Sequence, residues 1–394
     1  MRLRPDLWLL DPDVAHLNHG SFGAVPVPVL DAQRRAAHAI ERSPERFYRA
    51  DLAPAIDAVR ARVADFLGVE QDSLALVQNA TEAVQVALDA VELRPGSEIV
   101  ITDHAYGWVK AAVRRACVAR GAVERLVTLP KVTDGASYTV GASFAEQVTA
   151  AVTGALTART ALVVIDQITS ASALLMPVDA VIAATAASAA KYGTDVPVLV
   201  DGAHAPGLID SPVPEGASFW LGNLHKWAFA ARTAAALVVA PQYRGRVRPM
   251  VASAAAAAGY PRSFSYLGTQ DPTAYLALPE SLAFPDEYLG MSFTRLRERN
   301  AELLDRGLER LTSRLGVRPV RPSHLPMRTV DLGVTGDDAA ANDWTTRLRA
   351  AGVEVAITSV VGDLQARVSV QAYVSLADFE RLGEALAALL RVKT

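Results

Sequence analysis

Cysteine is nearly absent from this chain: Cys117 is the single one in 394 residues. An internal disulfide framework is therefore excluded, and a reducing cytoplasm is the expected compartment. Long apolar runs are missing as well. The Ala-rich stretch 251–259 is too short and too weakly hydrophobic to span a bilayer, and the N-terminus MRLRPDLWLLDPDV lacks an apolar signal segment. No membrane partner is expected. Nor does charge of one sign accumulate: the net charge is −3 and no basic block occurs, which argues against nucleic acid. Lysine is scarce, with five among 39 basic residues, and aromatics are only 6%. What remains is an Ala-rich chain that is 51% apolar, long enough for roughly two domains. That composition fits a soluble α/β protein with close-packed helices.

Short apolar runs alternate with amphipathic stretches along the first two thirds. Strands are predicted at 74–77, 98–102, 123–129, 160–166, 196–200 and 235–239, with helices at 29–41, 55–67, from Thr81 onward, and at 178–191. Such alternation calls for a mostly parallel sheet covered on both faces. After a long helix, 292–315, the pattern changes to strands at 327–332, 353–358 and 366–370 and a last helix at 376–390.

One stretch concentrates the chemistry. The apolar run VPVLV leads into Asp201 and the turn DGAHAPG; a second run, Phe219 to Leu221, leads through GNLHKWA to His225 and Lys226. In open α/β sheets, ligands sit beyond the carboxyl ends of strands, so both side chains are expected in one crevice. An amine that can bond an aldehyde and a carboxylate beside a pyridine nitrogen are what pyridoxal phosphate needs. A surface lysine with a capping aspartate is the alternative that these residues alone leave open.

VDGAHAPG followed by GNLHKWA resembles the class V aminotransferase family of fold-type I pyridoxal-phosphate enzymes, especially its isopenicillin N epimerase-like branch. Motifs from Asn18 to Arg367 fit that family, so the resemblance covers nearly the whole chain. It implies the fold-type I transferase fold: an arm (1–27), a large α/β domain with a mostly parallel seven-stranded sheet (28–281), and a smaller α+β domain (282–394). It also implies a homodimer with shared active sites and a small amino-acid substrate; no metal is expected. By the same resemblance, Lys226 bonds the cofactor and Asp201 faces its ring nitrogen. His104 stacks on the ring, while His204 and Gln167 lie near the phenolic oxygen. Ala80 (through its backbone), Thr81 and His225 hold the phosphate, together with Thr269 of the neighbouring subunit; Asn223 belongs to the same cofactor shell. Arg367 clamps the substrate carboxylate, Asn18, His19 and Ser21 in LNHGSFGAVP line the substrate side, and Arg49 is a further candidate. Tyr106 is the candidate acid near a leaving group. For most of these residues taken singly, an ordinary turn, cap or ion pair is the competing reading.

The chain also departs from the family pattern. After Lys226 it reads AFAARTAAALVV, so Ala231, Thr233 and Ala235 replace the usual proline and glycines while Arg232 keeps the basic position. Gln270 follows Thr269 where Arg is common. Cys117 falls on a predicted helix, whereas desulfurases carry their persulfide cysteine on a late loop; desulfuration is disfavoured. The branch includes epimerases, C–S lyases of ergothioneine assembly and lincosamide-pathway enzymes acting on S-cysteinyl conjugates. The expected reaction is C–S bond processing of an S-conjugated cysteine in natural-product biosynthesis. Epimerisation of the isopenicillin N type ranks second and decarboxylation-dependent deamination third. An idle binding protein on the same fold is opposed by the joint presence of Asp201, His225, Lys226 and Arg367.

Overall fold

The structure is a computed structural model that describes residues 2–129, 141–320 and 324–391. Lys131 and Lys393 lie outside the described residues. Seven strands form the main sheet: β1 (Leu74–Val77), β2 (Glu98–Thr102), β3 (Val123–Val127), β4 (Thr160–Asp166), β5 (Val198–Asp201), β6 (Phe219–Asn223) and β7 (Ala235–Val239). Their order is β1-β7-β6-β5-β4-β2-β3. The sheet is mostly parallel, as the sequence predicts; the exception is β7, which pairs antiparallel with both β1 and β6. The central strands β4, β5 and β6 are Val-, Ile- and Leu-rich and almost wholly buried, because helices cover both faces.

Helices α1 (Val27–Glu41), α2 (Leu52–Leu67), α3 (Ala80–Ala90), α4 (Gly107–Arg120), α5 (Gly141–Gly154) and α6 (Val178–Ala190) flank this sheet. α3 starts where it does because Asn79 accepts the Glu82 N–H at 2.9 Å and Glu82 folds back to accept the Gln78 N–H. Apolar side chains gather in two large clusters, one on each face of the sheet. One joins Ile56, Val63, Val163 and Trp220; the other joins Val84, Val113, Leu162 and Phe219.

A third cluster belongs to the C-terminal part. There α7 (Leu278–Leu289) and α8 (Phe293–Leu315) precede a four-stranded antiparallel sheet of order β10-β11-β9-β8. Its strands are β8 (Arg318–Pro319), β9 (Met327–Thr335), β10 (Ala356–Val360) and β11 (Asp363–Ser369), with α9 (Asp338–Ala350) and α10 (Leu376–Arg391) packed around them. The arm is less irregular than its sequence implies. Leu7, Trp8 and Leu17 enter this C-terminal cluster, and Ala15–His16 pairs in parallel with Val353–Glu354. That pairing splits the single strand expected at 353–358. Among the described residues, no helix is long and apolar enough to cross a membrane.

Candidate active site

The carboxyl ends of β4, β5 and β6 deliver the polar groups. Register puts Asp166 directly beside Asp201, and Asp201 beside Leu221, just before the turn that carries His225 and Lys226. Two glycines allow the neighbouring segments to close on that turn. At Gly23 (φ 69°) a Cβ would meet the His225 carbonyl at 2.6 Å; at Gly207 (φ 84°) it would meet the Trp227 carbonyl at 2.6 Å. The segment after Lys226 holds two non-glycine residues in the left-handed region: Phe229 sits at φ 61° and Thr233 at φ 70°. Phe229 is fixed there by full burial among Trp8, Phe284 and Phe293. Tight packing over-determines a strained backbone close to Lys226. Arg232 adds a tie by donating to the Gly23 carbonyl at 2.9 Å.

Lys226 Nζ lies 3.2 Å from His204 Nε2, and the Trp227 indole N–H points at His204 Nδ1 at 3.4 Å. An indole nitrogen only donates, so Nδ1 accepts and the ring's hydrogen is on Nε2. Lys226 then receives that hydrogen bond and must present a lone pair. Desolvation first, and the Arg367 charge second, pull the Lys226 pKa down to about 7, against the pull of Asp201. Burial also drives His204 well below the usual histidine range, followed by the charges of Lys226 and Arg367. The arrangement therefore favours a neutral amine held in a fixed direction. Of the other described lysines, Lys191 is exposed and Lys110 donates to the Asp103 carbonyl.

Asp201 is buried, and its Oδ1 accepts the Ala203 N–H at 2.9 Å. Burial raises its pKa, with Lys226 acting in the opposite direction. Its neighbour Asp166 is pushed further up, by burial and by the Asp201 charge, and its Oδ2 has no partner among the described residues. Two carboxylates abreast cannot both ionise cheaply, so Asp166 is the one held protonated and Asp201 the one left for a cation. Sequence reasoning passed over Asp166. Its signal was available: ALVVID ends as VPVLVD does, on the next strand.

Among the described residues, Arg367, on β11 and buried, has no carboxylate partner. It donates to the Ser170 carbonyl (2.7 Å), Asn18 Oδ1 (3.1 Å) and Ser21 Oγ (2.6 Å), while its Nε has no acceptor among them. Desolvation lowers its pKa to about 10. A buried guanidinium without a counter-ion is costly unless a charged ligand completes it. Asn18 and Ser21 thus come to Arg367, and Ser170, absent from the sequence-based set, joins them. His104 is buried with Nδ1 2.7 Å from Ser172 Oγ, another partner the sequence did not reveal. Tyr106 is 40% exposed at the start of α4, within electrostatic reach of both Arg367 and Asp201. Burial raises its pKa, so it is a proton donor at neutral pH.

Several expected contacts are arranged otherwise. Ala80 does not offer a free N–H, because it donates to Asn223 Oδ1 at 2.9 Å; Asn223 therefore anchors the start of α3, and Thr81 is the residue left to present a backbone donor. Gln167 has both ends engaged, its amide donating to the Pro212 carbonyl and its oxygen accepting from Trp220. His19 likewise has both ring nitrogens occupied, by the Tyr373 hydroxyl and the Lys226 carbonyl, and burial drops its pKa to about 3. It braces the lysine turn from behind rather than lining the substrate side. Arg49 lies in an exposed pair with Glu45, outside the crevice of its own chain. His225 donates from Nδ1 to the Ala234 carbonyl at 2.9 Å, and burial, then Lys226, lowers its pKa to about 4. An anion at its Nε2 would raise that pKa. Thr269 is exposed, on the loop that lies beside Gln78 and Glu82 at the start of α3.

Comparison with known proteins agrees with this geometry. Residues 35–382 match the family described as aminotransferase class-V. The chain is 30% identical over 337 residues to isopenicillin N epimerase of Amycolatopsis lactamdurans, covering 80% of this chain and 79% of that one. It is 28% identical over 407 residues to a probable chloroplastic L-cysteine desulfhydrase of Arabidopsis thaliana, covering 97% and 84%. Among solved structures, a cystine C–S lyase in complex with its product cysteine persulfide matches with TM-score 0.75 at 17% identity, covering 95% of this chain and 98% of that one. A cysteine desulfurase from Escherichia coli matches with TM-score 0.74 at 15% identity, covering 98% and 97%. At those identities the structural likeness establishes the fold.

Proposed function

Because the chain belongs to the class V aminotransferase family, it is a pyridoxal-phosphate-dependent enzyme, and we propose that its reaction is β-elimination from an S-conjugated cysteine in natural-product biosynthesis. The residues fit the cofactor. Asp201 is a buried carboxylate in want of a cation, Lys226 is a desolvated amine, and Thr81 and His225 stand where an anion would be welcome. When bound, pyridoxal phosphate supplies an aldehyde for the lysine and an electron sink for chemistry at Cα.

The chain's own groups do the rest. Arg367 binds the α-carboxylate, its unpartnered Nε adding a donor to the fork. Lys226, kept as free base by its His204 hydrogen bond, takes the Cα proton. Trp227 fixes the His204 tautomer and so the direction of that amine. Tyr106 gives its proton to the departing sulfur. Overall the thioether Cβ–S bond breaks, water is consumed, and thiol, pyruvate and ammonium leave. Tyr106, a proton donor at the mouth within electrostatic reach of Arg367 and Asp201, is the observation that carries this reading. Similarity to L-cysteine desulfhydrases supports it, and Cys117 is unsuited to a persulfide role because it is buried on α4 with a raised pKa.

Similarity to isopenicillin N epimerase supports epimerisation as the second reading. Mass analysis of products from the holoenzyme with a panel of S-substituted cysteines separates the two. Thiol and pyruvate in equal amounts support elimination. A recovered D-amino acid without thiol overturns it in favour of epimerisation. Carbon dioxide released while the Cα proton is retained overturns it in favour of decarboxylation. The enzyme is further proposed to act as a homodimer in which Thr269 completes the neighbour's phosphate site. Mixing Lys226→Ala and Thr269→Ala chains should then restore activity, and a fully active monomer would contradict the sharing.

A further inference from the structure

A cleft of about 1070 Å³ opens outward from the reacting groups. His104, Tyr106 and Ser170 belong to its wall, so it is continuous with the site of His104 and Arg367. Its volume lies just above the range of clefts that enclose drug-sized ligands, roughly 300–1,000 Å³. The side chain of free cysteine, one carbon and one sulfur, would leave nearly all of it unfilled.

The lining has a definite character. On one side, the start of α4 presents Tyr106 and Trp108, 40% and 64% exposed. Opposite stands the hairpin between β10 and β11, whose turn residues Val361 and Gly362 have φ of 51° and 86°. Asn-Gly is the pair such a turn prefers, and a β-branched residue in the left-handed region is an outlier. Here Val361 is held there, 48% exposed, as part of the cleft wall. Strain at a ligand-facing position, and a solvent-facing group of large apolar side chains, both point to a binding surface. Asp103, Asp337 and Asp338 also line the cleft, against the one ammonium of Lys110. The rim therefore repels anions.

We propose that this cleft binds the sulfur substituent of the substrate, and that the substituent is bulky, apolar or aromatic, and not anionic. The assignment rests on the lyase reading above for its sulfur but on the cleft alone for its chemistry. Trp108 and Val361 are its specificity-determining side chains.

Two measurements test this separately from the reaction. Calorimetric titration of Lys226→Ala protein loaded with pyridoxal phosphate compares cysteine, S-benzylcysteine, S-carboxymethylcysteine and its neutral isostere S-carbamoylmethylcysteine. S-benzylcysteine should bind about tenfold or more tightly than cysteine, as expected for filling an apolar pocket. The carbamoylmethyl compound should bind better than the carboxymethyl one. In Trp108→Ala, and in Val361→Asn, whose turn is better suited to the left-handed region, the ratio of benzyl to cysteine affinity should fall several-fold. Equal binding of cysteine and S-benzylcysteine, or a preference that survives both substitutions, would overturn the proposal. Thiol and pyruvate release by the unsubstituted holoenzyme is the second measurement. Benzyl preference in binding without thiol release would refute the lyase reading and leave the cleft assignment standing.

Discussion

At the floor of the crevice, Asp201 and Arg367 stand on strands, and His204 and Lys226 on the turns that follow strand ends. Most of their hydrogen-bonding atoms are tied by indole, hydroxyl or backbone partners. At the mouth, Tyr106 caps the start of α4, Trp108 lies in its first turn and Val361 sits at a hairpin tip, all with exposed side chains. The floor is rigid and polar and addresses groups that every α-amino acid has; the mouth is exposed and addresses what differs between them. Reaction class is thus encoded where packing is dense, and substrate choice where it is not.

Substitutions should separate the two regions by size and kind of effect. Arg367→Ala, at the floor, should lower kcat/KM by roughly 2–4 kcal/mol of transition-state stabilisation for any amino-acid substrate. Steady-state kinetics on cysteine and S-benzylcysteine checks this; a loss confined to one substrate would move Arg367 from floor to mouth.

Lys226 should reveal itself in stability as well. Its folded pKa of about 7 lies below the ordinary 10.5, so between those values the unfolded chain binds more protons than the folded one. Stability without cofactor should therefore rise as pH increases from about 7 to 10.5. Lys226→Met should remove that slope. It should also stabilise the cofactor-free protein near neutral pH by roughly 2–3 kcal/mol, allowing for a side chain partly open to the crevice. Thermal melts across that range read both effects, and identical slopes in the two proteins would deny the desolvated amine.

Tyr106→Phe, at the border, should slow thiol release about tenfold while exchange of the Cα proton with solvent persists, because a thiolate leaves with only modest acid assistance. Equal loss of both rates would make Tyr106 a binding group. The smallest effect belongs to the mouth. Val361→Asn should stabilise the protein by about 1 kcal/mol by relieving the left-handed β-branched residue. A lower melting temperature would show that the valine's contacts outweigh its strain.

The same division explains what could be read from the sequence. Lys226 and Asp201 were legible because each follows or ends a short apolar run, and period and register carry such residues to a common edge; Arg367, inside its strand, was legible only through the family resemblance. The mostly parallel sheet was legible from the same alternation of apolar runs. Hydrogen-bond saturation was not. Nothing in LNHG tells that both His19 nitrogens are occupied while Asn18 meets Arg367, nor that Gln167 turns to Trp220 and Pro212 rather than to a ligand. Ser170 and Ser172 were invisible because their partners, Arg367 and His104, come from β11 and from the turn after β2. The pairing of Ala15–His16 with Val353–Glu354 joins segments from opposite ends of the chain, beyond any local pattern.

Every role proposed above depends on Lys226 being the residue that bonds the cofactor. Borohydride reduction of the protein loaded with pyridoxal phosphate, followed by peptide mass mapping, tests that directly. The mass of the reduced cofactor should appear on the peptide carrying Lys226 and be absent from the Lys226→Ala protein. Label on Lys110 or Lys191 instead, or no label on any lysine, would contradict it.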